Sequence, residues 1–391
     1  MLLVATPFVL LQTFLIGQVS LISESTVELW GMKITIVPTI ALIIFIIGLI
    51  YFAPRLRWRH VAAGAVVILL NALAQQITDY YFDHDFYDLQ QNWHYIAYAI
   101  FAFFMNRDLR PRGVSLARIM LATYLIALAF STFDETFQKY LSSRVFDMCD
   151  IAKDVWGALS GIVLVHLGGK NHGKLLAGWR KITHRRIRDY LDHPFALLVF
   201  MFIFGLDFLI FSSILTDFQY WYYVVIITLG SFALIFLLIH LSQFRLGKYV
   251  VAGLLIIGIA TQSYFFIKHR NEHIVHDEFG LIVYKGIPIP FFDVMVYPDG
   301  MFRLVDKKHS FNVRDQKFLL RRKSDILLIG NGYEGRGGLG FPELTTNQFL
   351  YNKYLKKGTQ LIIMRTPDAC RVFNRLKREG KNVLFVIHST C

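Results

Sequence analysis

Long apolar runs broken by short polar loops fill the chain from Met1 to Ile267, after which the pattern shifts to short strand-like and helix-like segments. A helix needs roughly 20 apolar residues to cross the hydrocarbon core of a bilayer. The runs predict spans at Leu2–Ile22, Ile34–Phe52, Val61–Ile77, Trp93–Met105, Leu116–Phe130, Val155–Leu167, Phe195–Leu215, Tyr220–Leu241 and Tyr249–Ile267. The fourth and sixth reach full length only by recruiting polar residues, Leu89–Asn92 and Asp147–Asp154. From Arg270 onward, Leu281–Tyr284, Val294–Tyr297, Met301–Val305, Asp325–Ile329, Gln360–Met364 and Val383–Ile387 read as strands, with a hairpin turn at Pro298-Asp299-Gly300. A helix is expected from about Thr346 to Lys357, stopped by Gly358, and another that Thr366 caps, with Pro367 at its first position and Gly380 at its end. This order of strands and helices favours parallel neighbours joined by right-handed crossovers. The fold class is therefore a polytopic α-helical membrane bundle of about nine transmembrane helices followed by a small mixed α/β soluble domain.

Composition supports the division. Hydrophobic residues make up 55% of the 391, and mean hydropathy is positive. The formal charge of +13 points to topology rather than to nucleic acid, because Lys and Arg concentrate in alternate loops. Arg55, Arg57 and Arg59, then Arg107, Arg110, Arg112 and Arg118, then Lys170 to Arg188, then Arg245 and Lys248 mark one side. The positive-inside bias makes that side cytoplasmic, with the N-terminus inside. The first twenty residues lack a basic n-region and read as a retained span. Gly169–His193 is a basic cytoplasmic connector, either a solvated linker or a helix lying on anionic lipid. Counting three spans beyond it places the soluble domain outside. Cys149, Cys370 and Cys391 have no metal or disulfide spacing, and no cofactor is expected.

Ionisable groups at membrane depth are costly unless used. Residues four apart share a helix face, which pairs Gln75 with Asp79, His94 with Tyr98, Asp134 with Gln138, and Asp150 with Asp154. All four pairs fall toward the extracytoplasmic side and are expected to frame one pocket together with Glu135 and Arg144. Gly157 and Gly161 continue the Asp150 stripe as a GxxxG pair for close helix approach. Asp207 is expected to face another helix, while His166 and His240 fall near cytoplasmic span ends. Tyr220–Tyr223 reads as an interfacial aromatic belt.

The pattern Asp134-Glu135-x-x-Gln138, Arg144, Asp150, Asp154, Gly157 and Gly161, with His94-x-x-x-Tyr98, resembles the VanZ-like membrane proteins over about residues 60 to 170. Two positions depart from that family: Gln90-Gln91 replaces its acidic-basic pair, and Asp154 stands where it generally has Asn. The resemblance implies a multi-pass inner-membrane protein of the bacterial envelope, related to one associated with teicoplanin resistance. The pocket could bind a headgroup or lipid-linked cell-wall intermediate, with Arg144 on an anionic group. It could be catalytic, with Asp134, Glu135 or Asp150 as acid or base and His94 completing a site or a metal. Or its carboxylates could simply cap helices and pair with Arg144.

After the Asp325–Ile329 strand comes Gly330-x-Gly332-x-x-Gly335, but further glycines and Pro342 follow where a dinucleotide site needs a helix. Ile329-Gly330-x-Gly332 together with Met364-x-Thr366-x-x-Ala369-Cys370-x-x-Phe373-Asn374-x-Leu376-x-x-Glu379 resembles, from about residue 279 to the end, a small α/β family. That family includes a mitochondrial complex I assembly factor, which implies a binding or assembly role. Cys370 lies early in a helix, where a thiolate is favoured, yet Ala369 and Phe373 suggest an apolar core face.

The expected organisation is a membrane bundle over 1–168, the connector over 169–193, three more spans over 194–268 and the soluble domain over 269–391. The expected function is recognition of a membrane lipid or lipid-linked envelope component, with a protein partner at the C-terminal domain and no nucleic acid. The enzymatic alternative is a membrane hydrolase or transferase.

Overall fold

The computed structural model describes residues 26–29, 32–52, 54, 56–78, 89–140, 146–169, 173, 175, 186–215, 221–305, 309–341 and 348–390. These residues fall into two compact units, divided between Gln243 and Phe244.

The first unit opens with an antiparallel pair, β1 (Thr26–Leu29) and β2 (Met32–Thr35). The helices α1 (Ile36–Phe52), α2 (Trp58–Thr78), α3 (Leu89–Leu109), α4 (Leu116–Gln138), α5 (Met148–Gly168), α6 (Ile187–Asp192), α7 (Pro194–Ile214) and α8 (Trp221–Leu241) follow. Within it, α5 is the axis, packed by α2, α3, α4 and α7. Every residue from Ile151 to Val163 is buried, Lys153 and Asp154 included. A polar helix can occupy a membrane bundle on those terms, because its ionisable groups meet protein rather than lipid. Asp147 caps its start by accepting the Cys149 N–H at 2.7 Å. Two side chains tie neighbours to backbone carbonyls, Trp156 Nε1 to Leu70 at 3.0 Å and Tyr124 OH to Met201 at 2.9 Å.

Nine spans were expected; five described helices are long and apolar enough to cross a membrane. These are α2, α4, α7, α8 and α9 (Arg245–His269), the last belonging to the second unit. Leu2–Ile22 lies outside the described residues. The α1 helix has 17 residues, short of a full crossing. The α3 and α5 helices each have 21 but are diluted by Gln90, Gln91, Asn92, His94 and Arg107, and by Asp150, Lys153 and Asp154. Of the basic connector, Ile187–Asp192 is helical and 176–185 lies outside the described residues.

In the second unit, α9 leads into a three-stranded antiparallel sheet of β3 (Ile274–Glu278), β4 (Leu281–Tyr284) and β5 (Ile287–Pro290). The main sheet contains β6 (Asp293–Val296), β7 (Phe302–Val305), β8 (Ile326–Gly330), β9 (Gln348–Asn352), β10 (Lys357–Met364) and β11 (Val383–Ile387), in the order β7-β6-β11-β8-β10-β9. Its central strands β11, β8 and β10 are parallel, and α10 (Val313–Leu320) and α11 (Thr366–Arg378) complete the unit. Both faces are covered, so the central strands are continuous apolar runs. Leu328 and Phe385 join Cys370, Phe373 and Leu376 of α11 in one core. Leu327, Ile329 and Val386 join Phe311 and Leu319 in the other.

The helix expected over Thr346–Lys357 is instead the edge strand β9, paired antiparallel with β10. Asn352 decides this. Its Oδ1 accepts the N–H groups of Tyr354 and Leu355 at 3.0 and 3.3 Å, and its Nδ2 donates to Leu320 O and Thr359 Oγ1. A buried asparagine used in this way closes a hairpin turn and leaves no helix.

Candidate functional site

The polar residues singled out on three separate helices meet in the first unit. His94, on α3, reaches α5 with Nδ1 2.9 Å from Asp154 Oδ1 and Nε2 3.5 Å from Asp150 Oδ2. From α4, Ser131 Oγ donates to the other oxygen of Asp154 at 2.6 Å, and Tyr98 faces both Ser131 and Asp154. Lys153, 97% buried by its 3% exposure, donates to Asp150 at 3.0 Å. Alongside, Gln138 Nε2 donates to Asp134 Oδ2 at 3.0 Å and Glu135 Oε1 at 2.8 Å. Glu135 Oε2 accepts the Asp147 N–H at 3.0 Å, tying the end of α4 to the start of α5. Gln75 of α2 bonds Asn92, bringing a fourth helix to the rim. Asp79 and Arg144 lie outside the described residues.

The glycine pair explains the closeness. A Cβ on Gly157 would lie 2.7 Å from Tyr95 O, and one on Gly161 would lie 2.6 Å from Ala99 O. The backbone of α3 therefore rests on α5 itself, which is what lets a histidine reach two carboxylates on the neighbouring helix.

Sequence periodicity missed Ser131 and Lys153. Ser131 lies three residues before Asp134 and Lys153 three after Asp150, so a search along i, i+3 as well as i, i+4 finds both. Asp207 is buried against α8 near Ser231, and its Oδ2 has no hydrogen-bond partner. His166 is buried with Nδ1 unpartnered, whereas His240 Nδ1 lies 2.8 Å from Tyr190 OH. Among the described residues no group of three His, Cys, Asp or Glu is arranged to hold a metal ion.

Beside the cluster, α4 and α5 border an apolar crevice of about 520 Å³ that α7 and α8 also line. Leu128, Ile151, Phe204, Phe208 and Val225 line it, with Lys139 on its wall. This volume lies within the range of small-molecule sites.

The C-terminal unit holds a polar pair that sequence reading also missed. His388 Nδ1 is 2.5 Å from Asp293 Oδ2, and Asp293 Oδ1 accepts both the N–H and the hydroxyl of Ser389. Asp293 and His388 are about 1% exposed. Gly337 seals the imidazole, since a Cβ there would lie 2.7 Å from His388 Cδ2. The glycine-rich segment thus serves close backbone packing. Cys370 is in the core, and burial pushes its thiol well above the ordinary range. A maleimide should leave the Cys370 peptide unmodified in the folded chain and label it after denaturation, as read by peptide mass mapping.

Residues 279–388 match a family model described as "Protein of unknown function (DUF498/DUF598)". The C-terminal region is therefore a domain of that type. A solved structure titled MT938 is 22% identical to this chain, covering 30% of it and 98% of that protein, with a TM-score of 0.25. No curated protein matches.

Proposed function

We propose that the chain is a multi-pass inner-membrane protein of the VanZ-like type that recognises a lipid-linked envelope component at the His94 cluster. The observation that carries this reading is His94 held between Asp150 and Asp154, on helices brought together by Gly157 and Gly161. Asp134, Glu135, Asp147, Asp150 and Asp154 gather there around one lysine, Lys153, and the imidazole of His94. The cluster therefore suits a headgroup rich in hydrogen-bond donors, such as sugar hydroxyls or an amine. The crevice beside it offers room for a hydrocarbon chain. The DUF498-type domain, outside the membrane by span alternation, would bind a protein partner or assist assembly.

Titration of the purified full chain with a lipid-linked cell-wall intermediate tests the reading. Asp150, 24% exposed, and Asp134, half-buried, are the carboxylates a headgroup can reach, so Asp150→Asn and Asp134→Asn should each weaken binding by roughly 10- to 100-fold, the value of a hydrogen bond to a charged group. Unchanged binding in both variants would refute it. A product formed by the wild type, with turnover lost by orders of magnitude in the variants while binding persists, would establish the hydrolase or transferase alternative.

A further inference from the structure

In the second unit, the tip of the β4–β5 hairpin is clamped onto the last turns of α9. Gly286, at φ +77°, rests so closely that a Cβ would lie 2.5 Å from Phe265 O and 2.9 Å from Phe266 Cα. Gln262 Nε2 donates to Gly286 O at 2.9 Å. No residue of α9 is buried, and the helix is apolar and long enough to cross a membrane. The hairpin tip therefore sits level with the outermost apolar turn, where Tyr264 and Ile267 are more than 60% exposed.

Cations gather at that level. Lys285 takes the left-handed conformation at φ +50°, with its ammonium 3.5 Å from Gly300 O. Lys377 of α11 donates to Pro298 O at 2.8 Å. Both ammonium groups thus converge on one turn from separate elements, and neither forms an ion pair among the described residues. The carboxylate on that turn, Asp299, caps the Met301 N–H at 2.9 Å. His273 lies close by with its Nδ1 buried and unpartnered. Burial and the two lysines hold His273 below the usual histidine range, and burial and Lys285 lower Lys377. The two lysines thus crowd over one turn beside a neutral imidazole, with Asp299 partly offsetting their repulsion. Lys268 and Arg270 add exposed charge at the helix end, and Met301, 67% exposed, gives the turn an apolar tip.

We propose that this junction between α9 and the C-terminal domain binds the phosphate-bearing headgroup of an anionic membrane phospholipid. Lys285 and Lys377 donate to the phosphate oxygens, and the apolar end of α9 with Met301 lies against the acyl region. A phosphodiester supplies an anionic acceptor where the two ammonium groups otherwise donate to backbone carbonyls, and cations just beyond an apolar span meet headgroups before any soluble anion. The assignment rests on α9 crossing the bilayer and is independent of which side the domain occupies.

The test uses the full chain in phosphatidylcholine nanodiscs with and without phosphatidylglycerol, with lipid retention read by native mass spectrometry. The wild type should retain phosphatidylglycerol in preference to phosphatidylcholine. Lys285→Gln or Lys377→Gln should each reduce that preference about fivefold and the double variant about 25-fold, at the value of a basic residue near a headgroup. The Lys285→Arg, Lys377→Arg double variant should keep it. Equal retention of the two lipids, an unchanged preference in the double glutamine variant, or full displacement by inorganic phosphate would overturn the site. A Tyr264→Trp reporter separates this from its premise. Quenching by acyl-brominated lipid places the end of α9 in the bilayer, and no quenching overturns the membrane-crossing premise and the assignment with it.

Discussion

Gly161→Leu is expected to unseat α3 from α5 and release His94 from Asp154. The glycine has no free volume, since a Cβ alone would lie 2.6 Å from Ala99 O and 2.7 Å from Ala102 Cβ. Backbone cannot yield as a flexible side chain can, so the helices must separate along their crossing. Overpacking of this kind costs about 3 kcal/mol, and the lost His94 contacts add to it. The detergent-solubilised chain should unfold at a lower temperature and lose hydrogen-exchange protection at the start of α5. Gly64→Leu is the control, because nothing lies within 4 Å of a Cβ at Gly64. It should leave both measurements near wild type.

Asp293→Ala should be the most damaging single change in the C-terminal unit. It strands three buried donors at once: the His388 Nδ1–H, the Ser389 N–H and the Ser389 hydroxyl. Each unsatisfied buried group costs about 1–3 kcal/mol, and breaking a buried pair costs about 3–5 kcal/mol. Peptide-level hydrogen exchange on the full chain should show β6 and β11 opening together, since they are paired through Val294–Ile387. Asp368→Ala removes an exposed pair with Arg371 and should fall within about 1 kcal/mol of wild type. Equal effects of the two substitutions would contradict the role given to the buried pair.

The difference between these carboxylates was not legible in the sequence. Asp293 and His388 lie 95 residues apart, and nothing local marks them as partners until β6 and β11 are adjacent. What local chemistry does mark was readable. Thr366-Pro367 and Gly380 bracket α11 because a proline at the first turn and a glycine beyond the last are backbone requirements. Val383–Ile387 is a strand because five consecutive apolar residues covered on both faces suit the centre of a parallel sheet. The β9 strand escaped because its fate depends on Asn352, whose partners Leu320 and Thr359 come from other elements.

The same division runs through the first unit. The convergence of His94, Tyr98, Asp150 and Asp154 was legible because i, i+4 pairs on separate helices all pointed to one level. The span count was not, because hydropathy weighs a residue without knowing what surrounds it. Lys153 and Asp154 lower the apolar score of α5, yet their neighbours enclose them entirely. Enclosure is a property of the bundle, and only Gly157 and Gly161 announced it.

The most direct test of the central claim compares what the wild-type chain and Asp150→Asn carry out of the membrane in mild detergent, by mass spectrometry of bound lipid. The account predicts that a lipid with a donor-rich headgroup accompanies the wild type and is depleted at least tenfold in the variant, while bulk phospholipid is retained equally by both. The same bound lipids in the same amounts on both proteins would contradict it.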